Sequence, residues 1–335
     1  MSHVGLSRAK HAILVAKLLD QSGTNAERLA ERAHLPVACL ASPEMLVPTH
    51  CIREFREVAA RALGRPNIIL DATRDLKLQQ LGQFGSAIAQ TRCLYQSLTE
   101  FCALANTESS SVVVTLKQEE GCVRLLHRPL DKRTNQWNSE LYILTVMLWT
   151  ARLSIPDWSP RSVTVCFAAT PDRRAALLSL GCEGATFGTK HTSIAIPRSV
   201  LAMPLQLHQE EEQVDSTGRE QYLATRPRTS FSESLTQALH AYQQHAWAPI
   251  GVLAEIAGVS VRTLQRRFGE EGLTVSSFVE RARFDHAIQL LTTTDTTMGD
   301  IAAELGYSKQ ANFTRAFQRW AGVSPREFRR QRIGS

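Results

Sequence analysis

Residues Leu253-Ala254-Glu255-Ile256-Ala257-Gly258-Val259-Ser260 run directly into Val261-Arg262-Thr263-Leu264-Gln265-Arg266-Arg267-Phe268, and the same grammar returns 48 residues later. There Ile301-Ala302-Ala303-Glu304-Leu305-Gly306-Tyr307-Ser308 precedes Lys309-Gln310-Ala311-Asn312-Phe313-Thr314-Arg315-Ala316-Phe317. In both copies an Ala stands four residues before a Gly, and a Ser stands two residues after it.

Each shared position has a physical reason. Ala254 and Ala302 let a second helix pass close by, and Gly258 and Gly306 supply the left-handed conformation that ends a helix cheaply. Val259 and Tyr307 plug the turn, and Ser260 and Ser308 suit the N-cap of the helix that follows. Leu264 with Phe268, and Phe313 with Phe317, are i,i+4 pairs that bury one face of that second helix. The spacing predicts two helix-turn-helix units, over about 250–271 and 298–321. A single copy is equally well read as an ordinary helical hairpin with a glycine cap. Two copies at a fixed offset, both with polar and basic outer faces, argue against that plainer reading.

If Leu264 and Phe268 are buried, Arg262, Gln265 and Arg266 face outward; if Phe313 and Phe317 are buried, Gln310, Asn312 and Arg315 do. Arg can grip guanine O6 and N7, and Asn or Gln adenine N6 and N7, so these six residues are candidates for direct base readout. Ser260, Thr263, Lys309, Thr314, Arg319 and Arg330 are candidates for phosphate or flanking contacts, which set register and affinity rather than sequence choice. Arg326 and Arg329 suit phosphates or the domain's own surface. The plain alternative for any one of these, such as Gln265 or Arg315, is solvated surface or an ion pair within the domain.

The terminal hundred residues resemble the DNA-binding domain of the AraC/XylS family of bacterial transcription regulators. Ser260-x3-Leu264-Gln265-Arg266-x-Phe268, Arg283-x3-Ala287, Ile301-Ala302-x2-Leu305-Gly306-Tyr307, Phe313-x-Arg315-x-Phe317 and Gly322-Val323-Ser324-Pro325-x2-Phe328-Arg329 follow that family's pattern. The resemblance implies two helix-turn-helix units joined by a long central helix, here about Val275–Leu291. Phe278, Val279, Ala282, Ile288 and Leu291 independently give that stretch an apolar stripe of helical period. The segment between Phe268 and Phe278 is one residue shorter than the family's common spacing.

A chain of 335 residues fits two ordinary domains. Its net charge of +6 and pI near 9.1 permit nucleic-acid binding without proving it. Residues 228–335 hold 13 Lys/Arg against 10 Asp/Glu, so binding must depend on where the arginines sit. Seven cysteines, at 39, 51, 93, 102, 122, 166 and 182, have irregular spacing and no C-x-x-C, which reads as reduced thiols. His50-Cys51 reads as a helix start. The N-terminus has no signal-peptide pattern, since Ala12–Ala16 is short and Lys17 and Asp20 follow it. Leu141–Trp149 is too short to span a bilayer. A cytoplasmic protein without membrane partner, metal or cofactor is expected.

Over the first two hundred residues the pattern mixes helix and strand. Helices are predicted at His11–Leu19, Asn25–Ala33, Ile52–Leu63, Ser86–Ala105, Asn138–Leu153 and Asp172–Leu180. A hairpin is predicted from Ser111–Leu116 and Cys122–His127 around Glu119-Glu120-Gly121, with further strands at Ser162–Ala168 and Phe187–Ile196. Leu35-Pro36 through Pro43, Leu81-Gly82-Gln83-Phe84-Gly85, Ser97-Leu98, Val123–His127 and Ile196-Pro197-Arg198-Ser199 through Pro204-Leu205 resemble the effector-type domain called arabinose-binding in one branch of the same family. The charged stretch His208–Ser230 lacks apolar periodicity and reads as a solvated tether.

The expected architecture is therefore an α+β effector and dimerisation domain over 1–206, a linker over 207–232, and an all-α DNA-binding domain over 233–335. The expected function is sequence-specific transcription regulation, with activation implied by the resemblance. Expected partners are promoter DNA, a second copy through the N-terminal domain, RNA polymerase and a small-molecule effector. Trp137, Tyr142, Trp149, Arg124, His127 and His191 are eligible to line an effector pocket, but none is singled out. Two alternatives stand beside this reading: a regulator with no ligand, and an alkyl-transfer DNA repair enzyme sharing the DNA-binding domain. The second wants a four-cysteine metal site or a Pro-Cys-His-Arg-like nucleophile, and the sequence has neither. G-x-x-x-x-G-K-[ST], H-E-x-x-H and G-x-S-x-G are also missing, so no enzyme motif supports a catalytic role.

Overall fold

The computed structural model describes residues 3–129, 136–205, 216–242 and 248–333. They form two compact units, His3–Thr229 and Ser230–Ser335. The first runs β1 (Leu6–Arg8), α1 (Lys10–Gln21), α2 (Ala26–Arg32), β2 (Leu46–Pro48), α3 (Thr49–Leu63), α4 (Ile68–Thr73), α5 (Gln83–Ala89) and α6 (Leu94–Glu108). It continues with β3 (Val112–Glu119), β4 (Cys122–Pro129), α7 (Trp137–Ala151), β5 (Val163–Thr164), α8 (Pro171–Ser179), β6 (Ala185–Thr186), β7 (Thr192–Pro197), α9 (Arg198–Leu201) and α10 (Ser216–Ala224).

A five-stranded sheet in the order β3-β4-β7-β5-β6 is antiparallel except for the parallel pair β5–β6. Leu125 pairs with Ile194 and Val123 with Ile196, and all four side chains are buried. Side chains alternate along a strand, so Val123, Leu125 and His127 share one face of β4. That face receives α7, buried along most of its length, from which Glu140 Oε1 meets His127 Nδ1 at 2.9 Å. The predicted hairpin forms, with Glu119 opposite Cys122 and Gly121 at φ 72° in the turn.

Several boundaries differ from the sequence reading. The helix expected over Ser86–Ala105 is two helices, because the ladder stops after Gln90 N, which donates to Ser86 O at 3.0 Å: Arg92 N donates instead to Gln96 Oε1 at 3.0 Å, and Thr91 Oγ1 meets Ser97 Oγ at 2.7 Å. The strand expected over Ser162–Ala168 shrinks to β5, and the one expected over Phe187–Ile196 begins at Thr192. β1 and β2, three residues each, pair across Leu6–Pro48 and were not expected.

The stretch read as a solvated tether contains α10, packed on the first unit. Tyr222 is buried and its hydroxyl donates to Glu108. The Arg8 guanidinium lies 4.4 Å from the Tyr222 ring centroid and donates to Tyr222 O at 3.1 Å. One aromatic side chain anchors the helix to residues more than a hundred positions away, which local periodicity cannot register. Glu108 itself is 4% exposed, with Lys10 Nζ at 3.0 Å, His11 Nε2 at 2.9 Å and Arg8 Nε at 3.5 Å. Burial alone would push the Glu108 carboxyl up, but His11, Lys10 and Tyr222 hold it down at about 2. Burial keeps His11 below its ordinary value despite Glu108, so the imidazole is neutral and its Nδ1 accepts from the Tyr142 hydroxyl at 2.8 Å.

Among its described residues the second unit is all-helical: α11 (Phe231–Ala241), α12 (Ile250–Ile256), α13 (Val261–Glu270), α14 (Val275–Thr293), α15 (Met298–Glu304), α16 (Gln310–Ala321) and α17 (Pro325–Ile333). Phe268 packs against Phe231 and Phe278, with centroids 5.4 and 4.8 Å away, so α13 is held between α11 and α14. The Glu271 carboxylate closes the start of α11 by accepting from Phe231 N and from Ser232 N, the latter at 3.1 Å. Around the second half, Ala287, Leu291, Ile301, Leu305, Phe313 and Phe317 form a continuous core.

A depressed carboxyl contributes stability that is complete above its ordinary value of 4.5 and disappears as pH falls through about 2. Glu108→Gln removes the buried carboxylate that Arg8 and Lys10 share and leaves them Glu44, 3.0 Å from each, so it is expected to cost about 1–3 kcal/mol near neutral pH. Thermal melts across pH should show this difference shrinking below pH 4.5; a difference that stays constant down to pH 2 would contradict the account.

Candidate nucleic-acid interface

The two repeats fold into the same turn, bond for bond. Gly258 and Gly306 take φ 67° and 76°. Gly258 N donates to Glu255 O and Val259 N to Ala254 O; Gly306 N donates to Ala303 O and Tyr307 N to Ala302 O, all at 2.8–3.0 Å. Ala254 and Ala302 are buried where the next helix crosses. The shortened segment after Phe268 uses the same device, with Gly272 at φ 70° and Leu273 N donating to Phe268 O.

The helix starts differ between repeats. Ser260 caps α13, its Oγ accepting from Thr263 N at 3.2 Å. In the second repeat the N-cap is Lys309, not Ser308, and no side chain closes it, since Asn312 N turns back to Lys309 O instead. The helix begins one residue later than the repeat implies because Lys309 holds the extended conformation there, at φ −144°.

Leu264 and Phe268 on α13, and Phe313 and Phe317 on α16, are fully buried. This leaves Arg262, Gln265 and Arg266 exposed on α13, and Gln310 and Arg315 exposed on α16; Asn312 is half-buried. Arg266 pairs with Glu270 one turn along, and Arg315 Nη2 donates to Asn312 Oδ1 at 2.7 Å. Such exposed pairs are weakly held in water and can be exchanged for another acceptor at little cost.

The flanking candidates divide. Ser260, Lys309, Arg319 and Arg330 are exposed, while Thr263 and Thr314 are half-buried. Ser260 and Thr263 are engaged in the α13 cap, and Arg319 reaches Glu280 of α14 at 3.3 Å. Gln310, Thr314 and Arg326 border one cleft with Met298, Ser324 and Pro325. Arg329 turns inward, Nη2 donating to Thr296 O at 2.9 Å, so it serves the domain itself.

A shallow groove along α16 brings Asn312, Arg315 and Arg319 together with Glu280, Arg283 and Tyr307. The Arg283 guanidinium lies 5.1 Å from the Tyr307 ring centroid, and neither residue was among the candidates. Arg283 was visible as a motif position, but its place beside the second recognition helix depends on how α14 crosses α16.

Four of the seven thiols are unsuited to act as nucleophiles. Burial pushes Cys39 and Cys102 up to about 12 and Cys166 and Cys182 up to about 11, the reverse of an activated thiolate. Among the described residues no cluster of three metal-ligating side chains occurs, and no helix is long and apolar enough to cross a membrane.

Two stacked helix-turn-helix units with exposed basic second helices define a DNA-binding protein of the transcription-regulator class. Comparison with protein-family models supports this over most of the chain: residues 23–205 match the arabinose-binding domain of AraC transcription regulators, and residues 253–331 match a helix-turn-helix domain. The chain belongs to the AraC family of transcriptional regulators, a family of DNA-binding proteins and not of enzymes, and carries that family's effector-binding type of N-terminal domain. An uncharacterized HTH-type transcriptional regulator of Mycobacterium tuberculosis is 25% identical over 294 residues, 84% of this chain and 83% of its own. The transcriptional activator NphR of a Rhodococcus species is 32% identical over 109 residues, 31% of this chain and 32% of its own. The crystal structure of the transcriptional regulator CdpR from Pseudomonas aeruginosa aligns over 82% of this chain and 91% of its own, at 19% identity and a TM-score of 0.37.

Because Gly306 holds a left-handed conformation, Gly306→Ala is expected to destabilise the second unit by about 1 kcal/mol or more. Denaturant melts of the variant should show it; an unchanged midpoint would contradict the turn geometry.

Proposed function

We propose that each monomer reads two successive major-groove segments of promoter DNA, α13 through Arg262, Gln265 and Arg266, and α16 through Gln310, Asn312 and Arg315. The observation that supports this most is the shared geometry of the two repeats. The same glycine turn and the same buried i,i+4 pair put a polar, arginine-bearing face outward twice. Ser260, Thr263, Lys309, Thr314, Arg319 and Arg330 border these faces and hold the backbone phosphates, fixing register. Arg283 joins them as a further cation beside α16.

In this reading residues 1–206 sense a small molecule and pair two copies of the chain, and a short connection joins them to the DNA-binding domain. The regulator acts in the cytoplasm and works positively, which requires contact with RNA polymerase; a similar protein being named a transcriptional activator supports that sign.

Arg266→Ala and Arg315→Ala are each expected to weaken specific binding by about 1–3 kcal/mol and to relax base choice at the position read. Binding-site selection on each variant checks this, and an unaltered preference would remove the residue from the readout set. A fragment spanning 230–335 is expected to elute as a monomer that still binds DNA weakly. A dimeric fragment on a sizing column would move the pairing surface into the DNA-binding unit.

A further inference from the structure

The N-terminal unit holds a partly open cavity of about 90 Å³ between β1, α1, α3, α5, α6 and α7. Most of its wall is apolar, from Ile52, Phe84, Phe101, Ile143 and Val146. One full charge stands in that wall without a counterion. Arg56 is 4% exposed; its Nη2 donates to His11 O at 2.9 Å, its Nη1 reaches Ser139 Oγ at 3.4 Å, and its guanidinium lies 4.6 Å from the Tyr142 ring centroid. Its Nε has no hydrogen-bond partner, and among the described residues no carboxylate forms an ion pair with it.

A buried charge is costly unless something of opposite sign comes to it. Burial lowers Arg56 to about 10, which still leaves it protonated at neutral pH. Glu108 shares the cavity wall but cannot serve, because Lys10, Arg8, His11 and Tyr222 already occupy its carboxylate.

We propose that this cavity is the effector site and that it takes a small monocarboxylate, its carboxylate on Arg56 and its short apolar tail against Ile52, Phe84, Phe101 and Val146. The proposal rests on the reading of the N-terminal unit as an effector domain and names the chemistry of its ligand. The space holds about six water-sized groups, which fits an acid of about four or five carbons. The wall also offers a route outward. His11 accepts from Arg56 through its carbonyl and contacts Glu108 through its ring, and Glu108 holds Tyr222 of α10. A carboxylate that redirects Arg56 therefore acts on the helix preceding the second unit in the chain.

The test uses the full-length protein with sodium propanoate, butanoate, pentanoate and hexanoate, and with the 1-alcohols of equal length as neutral probes. Titration calorimetry and thermal melts, against matched sodium chloride, are expected to show saturable binding of at least one acid. That acid should bind about tenfold or more tighter than its alcohol. Arg56→Met should lose this preference. Because that variant removes a buried contact and can fail to fold, Ala105→Leu, which fills the cavity and keeps Arg56, provides the second arm and should abolish binding with the fold retained. Acids that bind no better than alcohols, or binding that survives Ala105→Leu, would overturn the site. DNA affinity measured in the same samples, on a fragment recovered by genomic footprinting, separates the two readings. Acid binding that leaves DNA affinity unchanged upholds the carboxylate site and overturns its role as effector site. No acid binding at all overturns the carboxylate site and leaves the effector reading needing other chemistry.

Discussion

Burial of two side chains one turn apart fixes the functional surface of this protein. Leu264 with Phe268, and Phe313 with Phe317, go fully into the core of the DNA-binding unit. Once they do, helical periodicity leaves Arg262, Gln265 and Arg266, and Gln310 and Arg315, outside. The glycine turns before each helix set its direction, and the long helix α14 supplies Phe278 to one core and Ala287, Leu290 and Leu291 to the other. One helix thus ties the two helix-turn-helix units into a single body, which is the arrangement the proposed reading of adjacent turns of one duplex requires.

Within the apolar core of the N-terminal unit sits a buried charge network. Glu108, at the end of α6, collects Arg8, Lys10 and His11 from the first strand and helix and Tyr222 from α10. A buried carboxylate with this many donors is stable only while all stay in place, so the network fastens the first and last parts of the unit to the middle. Arg56 lies beside it with its charge unanswered, and that asymmetry separates a structural network from a site.

The DNA-binding half was legible because its signals are local: turn glycines, a serine cap and i,i+4 apolar pairs lie within twenty residues of one another. The one slip there, Ser308 in place of Lys309 as N-cap, concerns a single residue at a helix end. In the N-terminal half the long elements were legible, and β1, β2 and α10 were not. Three-residue strands carry no period, and α10 packs through one Tyr in a charged stretch. Of the six residues eligible for a pocket, Tyr142 lines the cavity. His127 is instead paired with Glu140, Trp137 donates to Asn67, and Arg124 pairs with Glu119 at the sheet surface. Arg56 was not among the six, although it falls on the apolar face of α3 between Ile52 and Ala59, a position where a charge is unusual.

Two faces built alike on one chain are expected to read DNA twice. The sequence pattern bound by the intact protein, obtained by footprinting across a genome and reduced to a position-by-position preference, measures this most directly. Two conserved segments whose centres lie about 10 base pairs apart, one helical turn, are predicted for each monomer. A single conserved segment per monomer would mean that one of the two helices does not enter the groove, and would contradict the account.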